Sequence, residues 1–145
     1  MTTPELASVP VRSSVALTRR WVALLAPPVF GARSLWLSWL GTDGCMLPVV
    51  VPVDDLPVVP DPALVMGLRQ VHDSILEEHL GGDGHLAMAL CRPGQPEITE
   101  DDDEWAEALR DALDDQIVGT WSLHVAAAGS IHPLVDPPEG FATRG

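Results

Sequence analysis

Apolar and polar positions along the chain alternate between two periods, and the switches between them are marked by proline and glycine. After Ser13 or Ser14, either of which can cap a helix, Val15, Leu17, Val22, Leu24 and Leu25 give helical apolar surface that Pro27-Pro28 brings to an end. Leu35 to Leu40 then reads as a tryptophan-rich strand. Thr42-Asp43-Gly44 is a hairpin signal leading into a second strand, Met46 to Val53. Pro48 and Pro52 lie four apart and remove two N–H groups from the same side of that strand, which predicts a sheet edge.

Asp61 as N-cap and Pro62 in the first helical position open the next helix, which carries Leu64, Leu68, Val71 and Ile75 at helical spacing. It stops at Gly81-Gly82, about His79 or Leu80. His85 to Cys91 is apolar or small on both faces, the pattern of a central strand covered by helices. Thr99 and Asp102 form a capping-box pair at the start of a third helix, whose buried stripe is Trp105, Ala108, Leu109, Ala112 and Leu113. From Val118 to Ala126, Trp121, Leu123 and Val125 alternate with Thr120, Ser122 and His124. Ala128-Gly129-Ser130 turns the chain into a short last strand, Ile131 to Leu134. The pattern predicts one α/β domain over residues 12–135, with a flexible leader at 1–11 and a flexible tail at 136–145.

Composition narrows the function classes. The 145 residues are 46% apolar and carry a net charge of −13, with Arg supplying all eight basic residues. Nucleic-acid affinity rests on cationic contacts to phosphate, so DNA and RNA are not expected partners. A basic protein would be steered towards such a surface. Glu100 to Glu104 are five consecutive carboxylates, more than a helix dipole requires, and suit a solvated face or a docking patch. No run reaches the 18 or so apolar residues of a membrane-spanning helix. Arg19-Arg20 before Trp21 only faintly imitates an export signal, because the prolines cut the apolar run short. Cys45 and Cys91, both in apolar surroundings, fit reduced buried thiols, so a cytoplasmic location is expected.

The segment Ala89-Leu90-Cys91-Arg92-Pro93-Gly94-Gln95-Pro96-Glu97-Ile98-Thr99-Glu100-Asp101-Asp102 resembles the signature of the JAB/MPN metalloprotease-like domain, in its RadC branch. That signature reads His-x-His-Pro-Ser-Gly, then Pro, then Ser-x-x-Asp opening a helix. Gly94, Pro96, Thr99 in place of the serine, Asp102, and later His124 with Gly129 carry the likeness, over roughly residues 13–134. The resemblance implies an MPN/JAB-like mixed β-sheet flanked by helices. In active members two histidines and the aspartate hold zinc, an upstream glutamate is the general base, and the serine supports the oxyanion. The metal lowers the pKa of its bound water to about 7.

Here Ala89 and Cys91 stand at the histidine positions, and the strand where the glutamate would lie, Leu47 to Val53, has no acid. With ligands and base lost together, the expected function is that of a catalytically inactive scaffold working through protein–protein association, with no cofactor. The expected partner is an unidentified protein of basic charge, with a homodimer as the other expectation. The competing reading is a metal- or cysteine-dependent hydrolase with an altered set, Cys91, Asp102 and His124. Among the remaining residues, His72 and His79 are expected at the surface or half-buried. His124 and His132 are expected to face each other across a hairpin. Trp21, beside Arg19 and Arg20, is a candidate interface residue, and the other four tryptophans are candidate core.

Overall fold

The computed structural model describes residues 10–138 and Phe141. Its order is α1 (Ser14–Leu24), β1 (Ser34–Leu40), β2 (Met46–Asp54), α2 (Pro62–His79), β3 (His85–Cys91), α3 (Glu100–Leu113), β4 (Thr120–Ala127) and β5 (Ser130–Val135). The caps predicted from the residues form. Ser13 Oγ accepts from the Ala16 N–H at 3.1 Å, and Asp61 Oδ1 accepts from Ala63 at 3.0 Å with proline following it. Thr99 and Asp102 make the reciprocal capping box. At the end of α2, Gly81 and Gly82 both adopt positive φ, and the Gly82 N–H returns to the Leu76 carbonyl.

The five strands make one mixed sheet in the order β2-β1-β3-β4-β5. Proline-bearing β2 is indeed an edge. β3 pairs antiparallel with β1 and parallel with β4, and the parallel step is bridged by α3, since parallel neighbours need a crossover. The strand predicted to be central, β3, is buried at all seven positions.

Strand alternation divides the core in two. Leu35, Leu37, Trp39, Leu86, Met88, Leu90, Trp121, Leu123 and Val125 face α2 and α3. Leu40, Ala87, Ala89, Cys91 and Ala126 face α1, which contributes Leu17 and Trp21. The result is three layers: one helix, the sheet, two helices. The small residues of β3 beneath α1 let the helix sit close.

Several expectations are corrected by this packing. Trp21 is fully buried against the sheet, not at an interface, and Arg20 is buried with it. Val11, at the end of the segment expected as a leader, is 1% exposed and its N–H donates to Gly44 at 2.8 Å. The rest of that segment, 1–9, lies outside the described residues. In the expected tail, the Phe141 ring lies 4.5 Å from that of His85. Cys45 is half-buried, whereas Cys91 is buried, and both are free thiols. No helix among the described residues is long and apolar enough to cross a membrane.

Candidate functional site

The motif loop begins where β3 ends. Because Cys91 faces α1, the next residue, Arg92, projects towards the other side of the sheet, and its guanidinium is the centre on which the loop is wound. Nε and Nη2 donate to the two oxygens of Asp102, each at 2.8 Å, in a side-on fork. Nη1 donates to the carbonyls of Pro93 and Gln95, at 3.2 and 2.7 Å, and Nη2 also reaches that of Glu97 at 2.8 Å. Gly94, at φ +100, allows the chain to curl round the guanidinium.

Asp102 is as fully engaged as its partner. Beyond the two Arg92 bonds, its Oδ2 accepts the Thr99 N–H at 2.9 Å, and its own N–H donates to Thr99 Oγ1 at 3.2 Å. The pair is 3% and 0% exposed. Burial alone would push the Asp102 carboxyl up, but the Arg92 hydrogen bonds, the Thr99 N–H and the Arg92 charge outweigh it and hold the group below the usual carboxylate range. This carboxylate is ionised, tied down on both oxygens, and shut away from solvent.

The other motif positions lie on the α1 side. Ala89 pairs with Trp36 and Cys91 with Ser34 across the β1–β3 register, so a side chain stands beside each position where the family's histidines would be. Trp36 Nε1 donates to Ser34 Oγ at 3.2 Å. Burial pushes the Cys91 thiol up to about 12, against a smaller downward pull from a hydrogen bond with Ser34. Such a thiol is neither a ready metal ligand nor a ready nucleophile.

His124 also lies beneath α1, with Nε2 2.8 Å from Thr18 Oγ1. The Thr18 hydroxyl already donates to the Ser14 carbonyl, so Nε2 carries the proton and donates. Nδ1 is then the bare acceptor, buried and without a hydrogen-bond partner. Burial lowers the ring to about 4, the Asp136 charge opposing it, so His124 is neutral.

The structure therefore places Cys91 and His124 on one side of the sheet, while Asp102 is held by Arg92 on the other. Among the described residues no group of three or more His, Cys, Asp or Glu side chains is placed to hold a metal ion. The altered set Cys91, Asp102 and His124 does not converge. His124 and His132 do not face one another either. The register set by the turn, with Ala127 opposite Ser130, pairs His124 with Pro133, and His132 pairs with Val125 and is exposed.

Two buried histidines outside the motif have both ring nitrogens within hydrogen-bond distance of a partner, unlike His124. His85 Nδ1 and Nε2 lie 2.7 Å from Thr120 Oγ1 and 2.8 Å from Ser122 Oγ. Burial, with lesser contributions from His72 and His124, lowers this ring to about 3. His72, expected near the surface, is fully buried. It accepts the Trp39 indole N–H at Nδ1 and donates from Nε2 to the Val118 carbonyl at 2.8 Å. His85 and Ser122 have the distance of a base and a nucleophile, but both are 0% exposed. What they do is satisfy one another between strands.

Arg92 escaped sequence reasoning, although a charged residue directly after an all-apolar strand is a signal that it turns inward to a partner. The Ser122–His85 link was foreshadowed only by the polar face of β4. Comparison with protein-family models, with curated proteins and with solved structures finds no match to this chain.

Proposed function

We propose that this chain is a non-catalytic scaffold with a RadC/JAB-like layout, acting in the cytoplasm through association with another protein. One observation carries the reading: Asp102, the only motif ligand retained, has both oxygens taken by Arg92 and is sealed from solvent. A metal would have to compete with a buried guanidinium for that carboxylate, and breaking such a pair leaves an uncompensated charge. The family layout has thus been turned from holding an ion to holding a loop.

An association surface has support on the outer face of α1. Val15 and Val22, seven residues apart and so on one face, are 61% and 46% exposed, and Val29 beyond the helix is 65% exposed. The net charge of −13 favours a basic partner.

The test is a pull-down from the source cells with the wild type and Val22→Glu, alongside metal analysis of protein purified without chelators. A partner captured by the wild type and lost by the variant, at unchanged Tm, supports the reading. Capture unaffected by the substitution, or stoichiometric zinc, overturns it.

A further inference from the structure

Among the described residues, Arg33 holds cationic donors that are buried and left unused. Its Nε and Nη2 are buried and have no hydrogen-bond partner. These two N–H groups make the side-on edge of the guanidinium, the same edge with which Arg92 grips both oxygens of Asp102. A shielded donor left unmade is destabilising, and a planar fork matches a carboxylate better than any other small anion of one charge.

Arg33 lines a cavity of about 350 Å³ at the start of β1, together with Phe30, Trp36, Asp54 and Asp55. The two aspartates share the cavity without ion-pairing to Arg33. Their position is fixed by the β1–β2 register, which sets Asp54 opposite Ser34, and by the left-handed turn at Asp55, φ +55. The walls therefore carry one positive and two negative groups that do not cancel each other by contact, with an aromatic surface between. Trp36 has its indole N–H committed to Ser34, so what it offers a ligand is apolar ring.

We propose that this cavity binds a free α-amino acid with an apolar or aromatic side chain. Its carboxylate lies on the Arg33 fork, its ammonium towards Asp54 and Asp55, and its side chain against Phe30 and Trp36. A simple carboxylate would meet the two aspartates unpaired, and a simple amine would meet Arg33; only a zwitterion answers both signs. The volume is at the small end of ligand pockets, which suits a single amino acid. The fork is turned away from solvent in the free protein, so binding rotates the Arg33 side chain to bring that edge to the ligand. The site stands beside Ala89 and Cys91 through their β1 neighbours, but it does not depend on the motif's history.

The experiment is an NMR titration of the full chain with L-phenylalanine, phenylacetate and phenethylamine. L-phenylalanine should give saturable shifts confined to residues 30–36 and 54–55, and the two half-ligands should each bind about tenfold or more weakly. Arg33→Lys keeps the charge and loses the fork, and should weaken L-phenylalanine about tenfold; Asp54→Asn with Asp55→Asn should weaken it several-fold. No saturable response to L-phenylalanine overturns the proposal. So does a half-ligand that binds as well, or binding indifferent to Arg33→Lys. Because the ligand comparison is made on the unaltered chain, it decides the question even where a variant folds poorly.

Discussion

At the scale of single residues, the Arg92–Asp102 pair shows how a helix-capping carboxylate can also anchor the loop before it. A carboxylate at a helix N-terminus is stabilised by the dipole and by capping N–H groups whatever else surrounds it. Adding a buried guanidinium with a matching fork makes the same carboxylate the anchor of a loop. The consequence is measurable. Asp102→Asn removes the charge that balances Arg92 inside the protein, and loss of one partner from a buried pair costs about 3–5 kcal/mol. In a domain of this size that is a fall in Tm of roughly 10–16 °C, with the denaturation midpoint lowered and the slope unchanged. A variant that kept wild-type stability would show that the pair is not buried as described. Cys91→Ser provides the contrast at the neighbouring position. Its thiol is buried with only weak polar contacts, to the Ala89 carbonyl and to Ser34, so the change costs stability modestly, about 1–2 kcal/mol for the hydroxyl placed there, and alters no reactivity.

At the scale of elements, local punctuation decided what could be read in advance. Ser13, Asp61 with Pro62, and Thr99 with Asp102 each fix a helix start through a bond to a nearby N–H, and such bonds are written within three residues of sequence. The edge position of β2 was legible from Pro48 and Pro52, and the central position of β3 from its unbroken apolar run. What was not legible depends on pairings distant in sequence. Arg92 meets Asp102 only because Gly94 lets the loop curl, Trp21 turns inward because β3 offers Ala87 and Ala89 beneath it, and Arg20 turns inward to Met46 Sδ. The two-residue turn at Ala128-Gly129 pairs Ala127 with Ser130, and counting back from it sets His132 opposite Val125 and not opposite His124. One such distant pairing makes a sharp test. Gly119, at φ +86, lies so close to the Gly84 backbone that a Cβ would collide with its carbonyl, whereas Gly81, at φ +66, has open space around it. Gly81→Ala should cost about 1–2 kcal/mol for the left-handed backbone alone. Gly119→Ala should cost more than that, since it also forces apart the start of the β3–β4 pair where Thr120 N–H meets Gly84 O. Equal losses in the two variants, measured by urea unfolding, would mean that the close approach does not hold.

At the scale of the whole molecule, three neutral histidines are enclosed in one small body, and this sets its response to acid. His72, His85 and His124 are each fully buried, with the last two lowered to about 3 and about 4 by burial and His72 lowered for the same reason. In the unfolded chain all three titrate near 6.5. Above that value neither state protonates them, and their neutral burial costs no proton linkage. Between 6.5 and about 4 the unfolded state takes up protons that folded His85 and His124 refuse, so stability falls as pH falls, by about 1 kcal/mol or more per pH unit for each of these two rings, and His72 acts in the same direction. For His85 and His124 together this amounts to about 5 kcal/mol over two pH units, a large share of the stability of a typical domain. Two opposing or additional effects act lower. Protonation of surface carboxylates relieves the self-repulsion of a chain at −13, but it begins only near pH 4. Asp102, held below the usual range, contributes stability that is present above about 3.9 and lost only beneath it. The histidines therefore act first, and cooperative unfolding is expected between about pH 6 and 4, ahead of bulk carboxylate titration. His124→Gln should make the decline shallower, because one ring no longer takes up a proton on unfolding, whatever it does to stability at pH 7.5. A Tm flat from pH 7 to 4.5 in the wild type, or a slope in the variant equal to the wild type's, would show that these rings do not govern acid stability.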